Sequence, residues 1–196
     1  MARKVRYGLK NTKYALWDAE TKKYGEYKSL PWAVNLALST EGGDGSDFYA
    51  DDGICFQFAG TNGGYSGDLE VANIPDEVRV ALLGEVVDTK TGVQFEMTDA
   101  EPPEFALVTE MTTDEGPIAF CFYNCKASRP ELNANTKNDS PDVDTETLSL
   151  RVGSREVTYL GNTKHVVQGH IQKTATNAEQ YAAFFAAVVM PTETAE

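Results

Sequence analysis

The chain has 196 residues, 41% of them hydrophobic and 24% charged, and its net charge of −13 comes from 17 basic against 30 acidic side chains. A chain of this length and composition folds as one ordinary domain and buries roughly 70% of its unfolded surface, which excludes wholesale disorder and any need for a metal or disulfide to fold. Its acidity disfavours binding to DNA or RNA, since that needs cations to neutralise phosphates, although the same acidity also serves plain solubility.

The charge is uneven along the chain. The first 28 residues hold eight Lys or Arg and three Asp or Glu, and the rest is strongly acidic. Apolar runs such as Ala182 to Met190 fall far short of the roughly 20 residues that cross a bilayer. Tyr7-Gly8-Leu9-Lys10-Asn11 stands where a secretion signal would be apolar, so we expect a protein that stays where it is made or leaves by lysis. The odd count of three cysteines argues against a disulfide framework, and Cys121 and Cys125 read as small buried hydrophobes.

In chain order, residues 1–30 read as a basic, aromatic N-terminal arm, with Tyr7, Tyr14, Trp17, Tyr24, Tyr27 and Trp32 set among lysines. That interleaving resembles a single-strand nucleic-acid platform, and equally a docking arm for an acidic neighbour. Val34 to Ser39 is a short strand candidate. Residues 41–65 begin Gly-rich, Glu41-Gly-Gly-Asp-Gly-Ser-Asp47, and lead through Phe48-Tyr49-Ala50-Asp51-Asp52-Gly53 as a projecting loop or hairpin. From Ile54 to Ala59 the alternation of Ile54, Phe56 and Phe58 with Cys55, Gln57 and Ala59 predicts a strand with one face in the core. Tyr65, Leu69 and Val71 predict another, with Asp68 and Glu70 on its wet face.

Pro75-Asp76-Glu77 starts a short internal helix that Gly84 ends. Phe105 to Met111 is a strand, and Ile118 to Lys126, apolar on both faces, is a central one covered on both sides. After a polar loop from Asn133 to Asp144, Leu148, Leu150 and Val152 mark a half-buried strand. Glu156 to Gln172 forms further strands with a turn at Gly161-Asn162. Residues 176–190 form the second helix: Thr176-x-x-Glu179 reads as a capping box, and Tyr181, Phe184, Phe185 and Val188 fall at helical spacing on one stripe that a sheet face should cover. The fold class is mainly β with two flanking helices, in a single domain over 1–196.

No residue set stands out as catalytic. Gly60 to Gly67 has no Lys-Ser/Thr after it and misses the nucleophile-elbow spacing, so it is a turn. His165 and His170 would point to opposite faces of a continuous strand and make poor co-ligands. Asp44, Asp47, Asp51 and Asp52, and separately Asp139, Asp142 and Asp144, fit no EF-hand spacing and read as solvated loops. We therefore expect no enzyme, cofactor or metal. Asn138-Asp139-Ser140 matches a glycosylation acceptor, but Pro141 follows it.

Several segments taken together carry a resemblance: Tyr7-Gly8-Leu9-Lys10-Asn11, Phe48-Tyr49-Ala50-Asp51-Asp52, Gly64-Tyr65-Ser66-Gly67-Asp68-Leu69-Glu70, and Ile74-Pro75-Asp76 running into Leu82-Leu83-Gly84-Glu85. Phe122-Tyr123-Asn124-Cys125-Lys126-Ala127-Ser128-Arg129-Pro130 and Thr145-Glu146-Thr147-Leu148 continue the series. In this order they resemble the major tail proteins, the tail-tube subunits, of long-tailed bacteriophages with non-contractile tails. The likeness spans residues 3–152, and the remainder matches mainly in pattern.

The resemblance implies a β-sandwich or barrel flanked by a helix, assembling as hexameric rings that stack into a tube through which the genome is ejected. It implies a virion protein whose partners are other copies and the tape measure, tail terminator and distal tail proteins. DNA would pass the lumen without specific binding, and no membrane is involved. Some members carry an additional C-terminal immunoglobulin-like domain, which is not expected here. Six copies of a −13 chain carry −78, and an acidic lumen would let DNA slide. On this reading Phe48, Tyr49, Asp51, Asp52, Tyr14 and Trp17 are assembly contacts, and Asp68 and Glu70 face the lumen. A carbohydrate-binding β-sandwich module, a type VI secretion tube-like protein and a metal-dependent hydrolase built on the Asp clusters are the alternatives.

Overall fold

The computed structural model describes residues 5–132, 134 and 144–192. Most of the polar loop after Asn133, with Asp139, Asp142 and the Asn138 sequon, lies outside them. The strands are β1 (Arg6–Asp18), β2 (Lys23–Tyr24), β3 (Lys28–Ser29), β4 (Ala33–Glu41), β5 (Ser46–Ala50), β6 (Gly53–Phe58) and β7 (Gly64–Val71). Helix α1 (Asp76–Leu83) follows, then β8 (Val86–Val87), β9 (Gln94–Phe95), β10 (Phe105–Thr113), β11 (Ile118–Ser128), β12 (Glu146–Gly153), β13 (Arg155–Tyr159), β14 (Asn162–Val166), β15 (Gln168–Gln172) and helix α2 (Ala178–Ala183). The main sheet runs β2-β1-β10-β11-β12-β7-β4 without closing into a barrel, and β3 pairs with β1 and β15 with β11.

Strand β11 organises this architecture. One edge pairs with β10, while the other is shared: Ile118–Phe122 pair with β15 and Asn124–Ser128 with β12. Where partners change, three residues of β10 (Phe105 to Leu107) oppose four of β11 (Phe122 to Cys125). The extra residue is a bulge that bends the strand and reverses which parity faces inward. Phe120, Phe122, Cys125 and Ala127 accordingly face one core with Leu69, Leu107, Leu148 and Leu150, and Ala119, Cys121 and Tyr123 face a second. The expectation of a central strand buried on both sides holds.

The second core is closed by α2. Tyr181 and Phe184 lie buried on Ala106, Val108, Cys121 and Tyr123, so the aromatic stripe does cover a sheet face. The helix is shorter than the predicted 176–190, and Thr176 does not cap it. Asn177 occupies the cap position and turns its side chain backwards, accepting from Thr174 N at 2.7 Å and donating to the Gln172 carbonyl at 2.8 Å. Past Ala183 the chain tightens into turns, with Phe185 N bonded to the Ala182 carbonyl at 3.1 Å. Helix α1 matches its prediction: Pro75 precedes it, Gly84 ends it at φ 75°, and Val78, Leu82 and Leu83 are buried. Glu146 ties it to β12, accepting from Ile74 N at 2.6 Å and pairing with Arg79.

Three expectations need correction. Residues 6–18 are not an arm but a full strand, in register with β10 from Arg6↔Thr113 to Leu16↔Phe105. Tyr14, Ala15 and Leu16 pack inward from it, and Tyr14, only 1% exposed, belongs to the first core and not to the surface. The segment from 156 to 172 breaks at Val167, so His165 lies on the β13–β14 hairpin while His170 lies on β15, its ring 5.5 Å from that of Phe120. Finally, Ile54, Phe56 and Phe58 face no core, for among the described residues β5 and β6 pair only with each other and nothing covers either face.

Candidate assembly surfaces

Every residue from 41 to 63 is exposed. Within this stretch Phe48, Tyr49, Ile54, Phe56 and Phe58 keep between 53% and 62% of their surface accessible, and the rings of Phe56 and Phe58 meet edge-on at 4.9 Å. Each would gain about 1.5–3 kcal/mol on full burial, so the hairpin forgoes stability that a covering surface would restore. Its acids Glu41, Asp44, Asp47, Asp51 and Asp52 have no basic residue among them. The hairpin root is built by glycine: Gly42 sits at φ 147° and Gly64 at φ 96°, and a Cβ on either would overlap the carbonyl oxygen of Thr61 or Val152. Asp51 and Asp52, at φ 50° and 62°, make the tight tip.

The predicted contacts therefore divide. Phe48, Tyr49, Asp51 and Asp52 come together on the hairpin, whereas Trp17 lies elsewhere, half-buried at the end of β1. There the Arg155 guanidinium stacks 4.0 Å above the Trp17 ring and bonds Glu104 at 2.8 Å. That bond, with the Arg155 and Lys126 charges, holds the Glu104 carboxyl below its usual range. Tyr24 meets Trp17 edge-on at 4.8 Å; burial pushes its hydroxyl up to about 12 against the opposing pull of Arg155. Beside them opens a cavity of about 670 Å³, walled by Trp17, Tyr24, Val188 and Met190 and rimmed by Lys22 and Lys23.

Asp68 and Glu70 lie where the alternation put them. Register places Asn35, Ala37 and Ser39 of β4, Ser66, Asp68 and Glu70 of β7, and Thr147, Ser149 and Arg151 of β12 on one outward face. Ser149 Oγ donates to Asp68 at 2.8 Å and Thr145 Oγ1 to Glu70 at 2.6 Å. The opposite side of these strands carries Leu69, Val71, Leu148 and Leu150 into the first core. This acid and hydroxyl face holds no large apolar side chain.

Cys121 and Cys125 are buried and unpaired, burial raising both thiols, that of Cys121 to about 12; Cys55 is exposed on β6. Among the described residues no three His, Cys, Asp or Glu gather to hold a metal, and no helix is long and apolar enough to cross a membrane. A second apolar patch escaped the sequence reading: Val86, Val87, Phe95 and Met97 around β8 and β9 are 43% to 49% exposed. Two-residue strands leave no periodicity to detect, and only the clustering of Val86-Val87 hinted at it.

An open β-sandwich whose largest unpartnered feature is an apolar hairpin defines a subunit class, one completed by contact with other chains. Comparison specifies which: the sequence model of the phage tail tube protein family matches residues 42–191, and the chain belongs to that family. Its role is accordingly structural, as a virion component assembling with other phage tail proteins. No curated protein sequence matches it. The matched span starts at the root of the hairpin and runs through α2 to Pro191, leaving β1 to β4 outside.

Proposed function

We propose that the protein forms hexameric rings that stack into the tail tube and conduct the genome during ejection, with the β5–β6 hairpin reaching between subunits. The exposed hairpin carries this reading. Its aromatic and aliphatic side chains are arranged for burial, and a subunit keeping them uncovered would risk indiscriminate association unless a defined partner surface took them. The face bearing Asp68 and Glu70 lines the lumen: its carboxylates repel a polyanion and its hydroxyls let it slip past, with Arg151 the one cation among these register positions, so DNA moves through without specific binding. Free strand edges such as that of β4 pair between neighbours around the ring. The tape measure, tail terminator and distal tail proteins meet the tube inside and at its ends.

Negative-stain microscopy of the purified chain tests this. Rings or tubes of sixfold symmetry are expected, and Phe56→Ser with Phe58→Ser should leave folded monomers without them. Wild-type protein that stays monomeric at high concentration would overturn the proposal.

A further inference from the structure

The hairpin needs a receptor, and three apolar depressions compete for it. The patch around β8 and β9 is bordered by Glu85, Asp88 and Glu96 against Lys90 and Arg129, the latter already bonded to Glu96, so it offers an acidic tip little attraction. A groove of about 410 Å³ between β4 and β15 offers Arg6 as its one permanent cation, and that guanidinium already stacks on Phe120 at 5.3 Å. The cavity beside Trp17 is larger, and its rim carries the adjacent, exposed Lys22 and Lys23, neither of them in a salt bridge among the described residues. Apart from Arg155 and Glu156, which bring one charge of each sign, its walls are aromatic and aliphatic and suit Phe48 and Tyr49, which lie just before the Asp51-Asp52 tip.

We infer that this cavity receives the β5–β6 hairpin of a second copy, with Asp51 and Asp52 against Lys22 and Lys23 and Phe48 or Tyr49 inside. The inference rests on the tube reading above and adds the partner surface. The topology favours contact between chains. The hairpin grows from β4 and β7, the layer over the first core, while the cavity is bounded by Tyr24, Val188 and Met190, which pack with the second core on the other side of the β10–β11 sheet. A patch that meets a different patch on the next copy is heterologous, and its repetition gives rings or stacked arrays instead of a closed dimer. Paired opposite charges also set which surfaces meet, because a wrong register brings the acidic tip against acidic neighbours.

Charge reversal in the full-length chain tests it. Lys22→Glu with Lys23→Glu, and separately Asp51→Lys with Asp52→Lys, should each lower pelletable polymer by about tenfold or more, as attraction between exposed pairs becomes repulsion. The fourfold variant should recover polymer, and so should an equimolar mixture of the two double variants, because each then meets only complementary partners. Benzoylphenylalanine in place of Tyr49, photolysed in assembled wild-type-like polymer, should link to residues 17–25 or 187–190. Polymer unaffected by either reversal, no recovery in the fourfold variant, or crosslinks confined to Leu36 and Phe120 of the groove or to β8 and β9 would overturn this docking while leaving the tube intact. Wild-type chains that never polymerise would remove the tube reading itself.

Discussion

Two parts of the molecule carry nearly the same hydrophobic signal and meet opposite fates. In β11 and α2, Phe120, Phe122, Tyr181 and Phe184 are at least nine-tenths buried between layers of the same chain. In β6, Ile54, Phe56 and Phe58 alternate as regularly and, with Phe48 and Tyr49 of β5, stay more than half exposed. Periodicity reports that a side chain belongs on an apolar face; it does not report which chain covers that face. A strand that would read as half-buried in a monomer is, in a subunit of a larger body, an interface awaiting its partner.

Mutation separates the two most sharply. Leu148→Ala, at a fully buried site opposite Leu69, should cost about 2–5 kcal/mol and lower the melting temperature of the isolated subunit by several degrees, since roughly 2–4 °C follows each kcal/mol in a chain of this size. Phe56→Ala should change the same melting temperature by no more than about 0.5 kcal/mol allows, because none of the described residues covers it. In calorimetry of dilute monomer, comparable losses for the two variants would mean that the hairpin packs within its own chain, and the contrast would fail.

Much of the fold was legible because its signals are local. Pro75, the two acids after it and Gly84 bracket α1 correctly, and the two-sided apolar run of β11 marked the centre of the sheet. What escaped depends on pairings distant in sequence. Lysines and polar residues make residues 6–18 resemble an arm until β10, about a hundred residues away, supplies hydrogen bonds and buries Tyr14. The bulge at Phe122 to Cys125 shifts the parity of β11, and only the partners on either side reveal it. Thr176 satisfied the spacing of a capping box, yet Asn177 stands nearer the helix start and its side chain closes the preceding turn instead. The hairpin that brings Phe48, Tyr49, Asp51 and Asp52 together, whose role in assembly is a proposal, was readable from its glycines and aromatics. The cavity that joins Trp17 to Val188 and Met190 brings together chain ends that no motif connects.

The Arg155 cluster lies between the two extremes, partly buried and wholly within one subunit. Glu104→Gln should lose up to about 1 kcal/mol at neutral pH, the modest value of a partly solvated ion pair. The folded-state pKa of Glu104 is lowered, so its contribution is fully present above the ordinary carboxylate range and fades as pH falls through the folded value. The difference in melting temperature between wild type and variant should therefore shrink towards zero in acid, below the pH at which a free glutamate protonates. A difference that persists undiminished there would show that the residue acts through packing and not through its charge.

A contrast of another kind lies within the buried aromatic layer itself. Tyr181 is 6% exposed, and its hydroxyl is buried without a hydrogen bond of ordinary geometry among the described residues, although burial, and then the charge and side chain of nearby Glu110, raise the hydroxyl's pKa. A buried hydroxyl that recovers no bond in the folded state has forfeited its water for nothing, at about 1–3 kcal/mol. Tyr181→Phe keeps the ring on Val108 and Cys121 and removes that cost, so chemical denaturation should show unchanged or increased stability. The phenyl ring, by contrast, secures α2 to the sheet, and Tyr181→Ala should lose about 3–5 kcal/mol as Phe or Trp truncations do. If the Phe variant instead lost stability comparable to the Ala variant, the hydroxyl would hold a partner and α2 would be anchored by polarity as much as by its aromatic face.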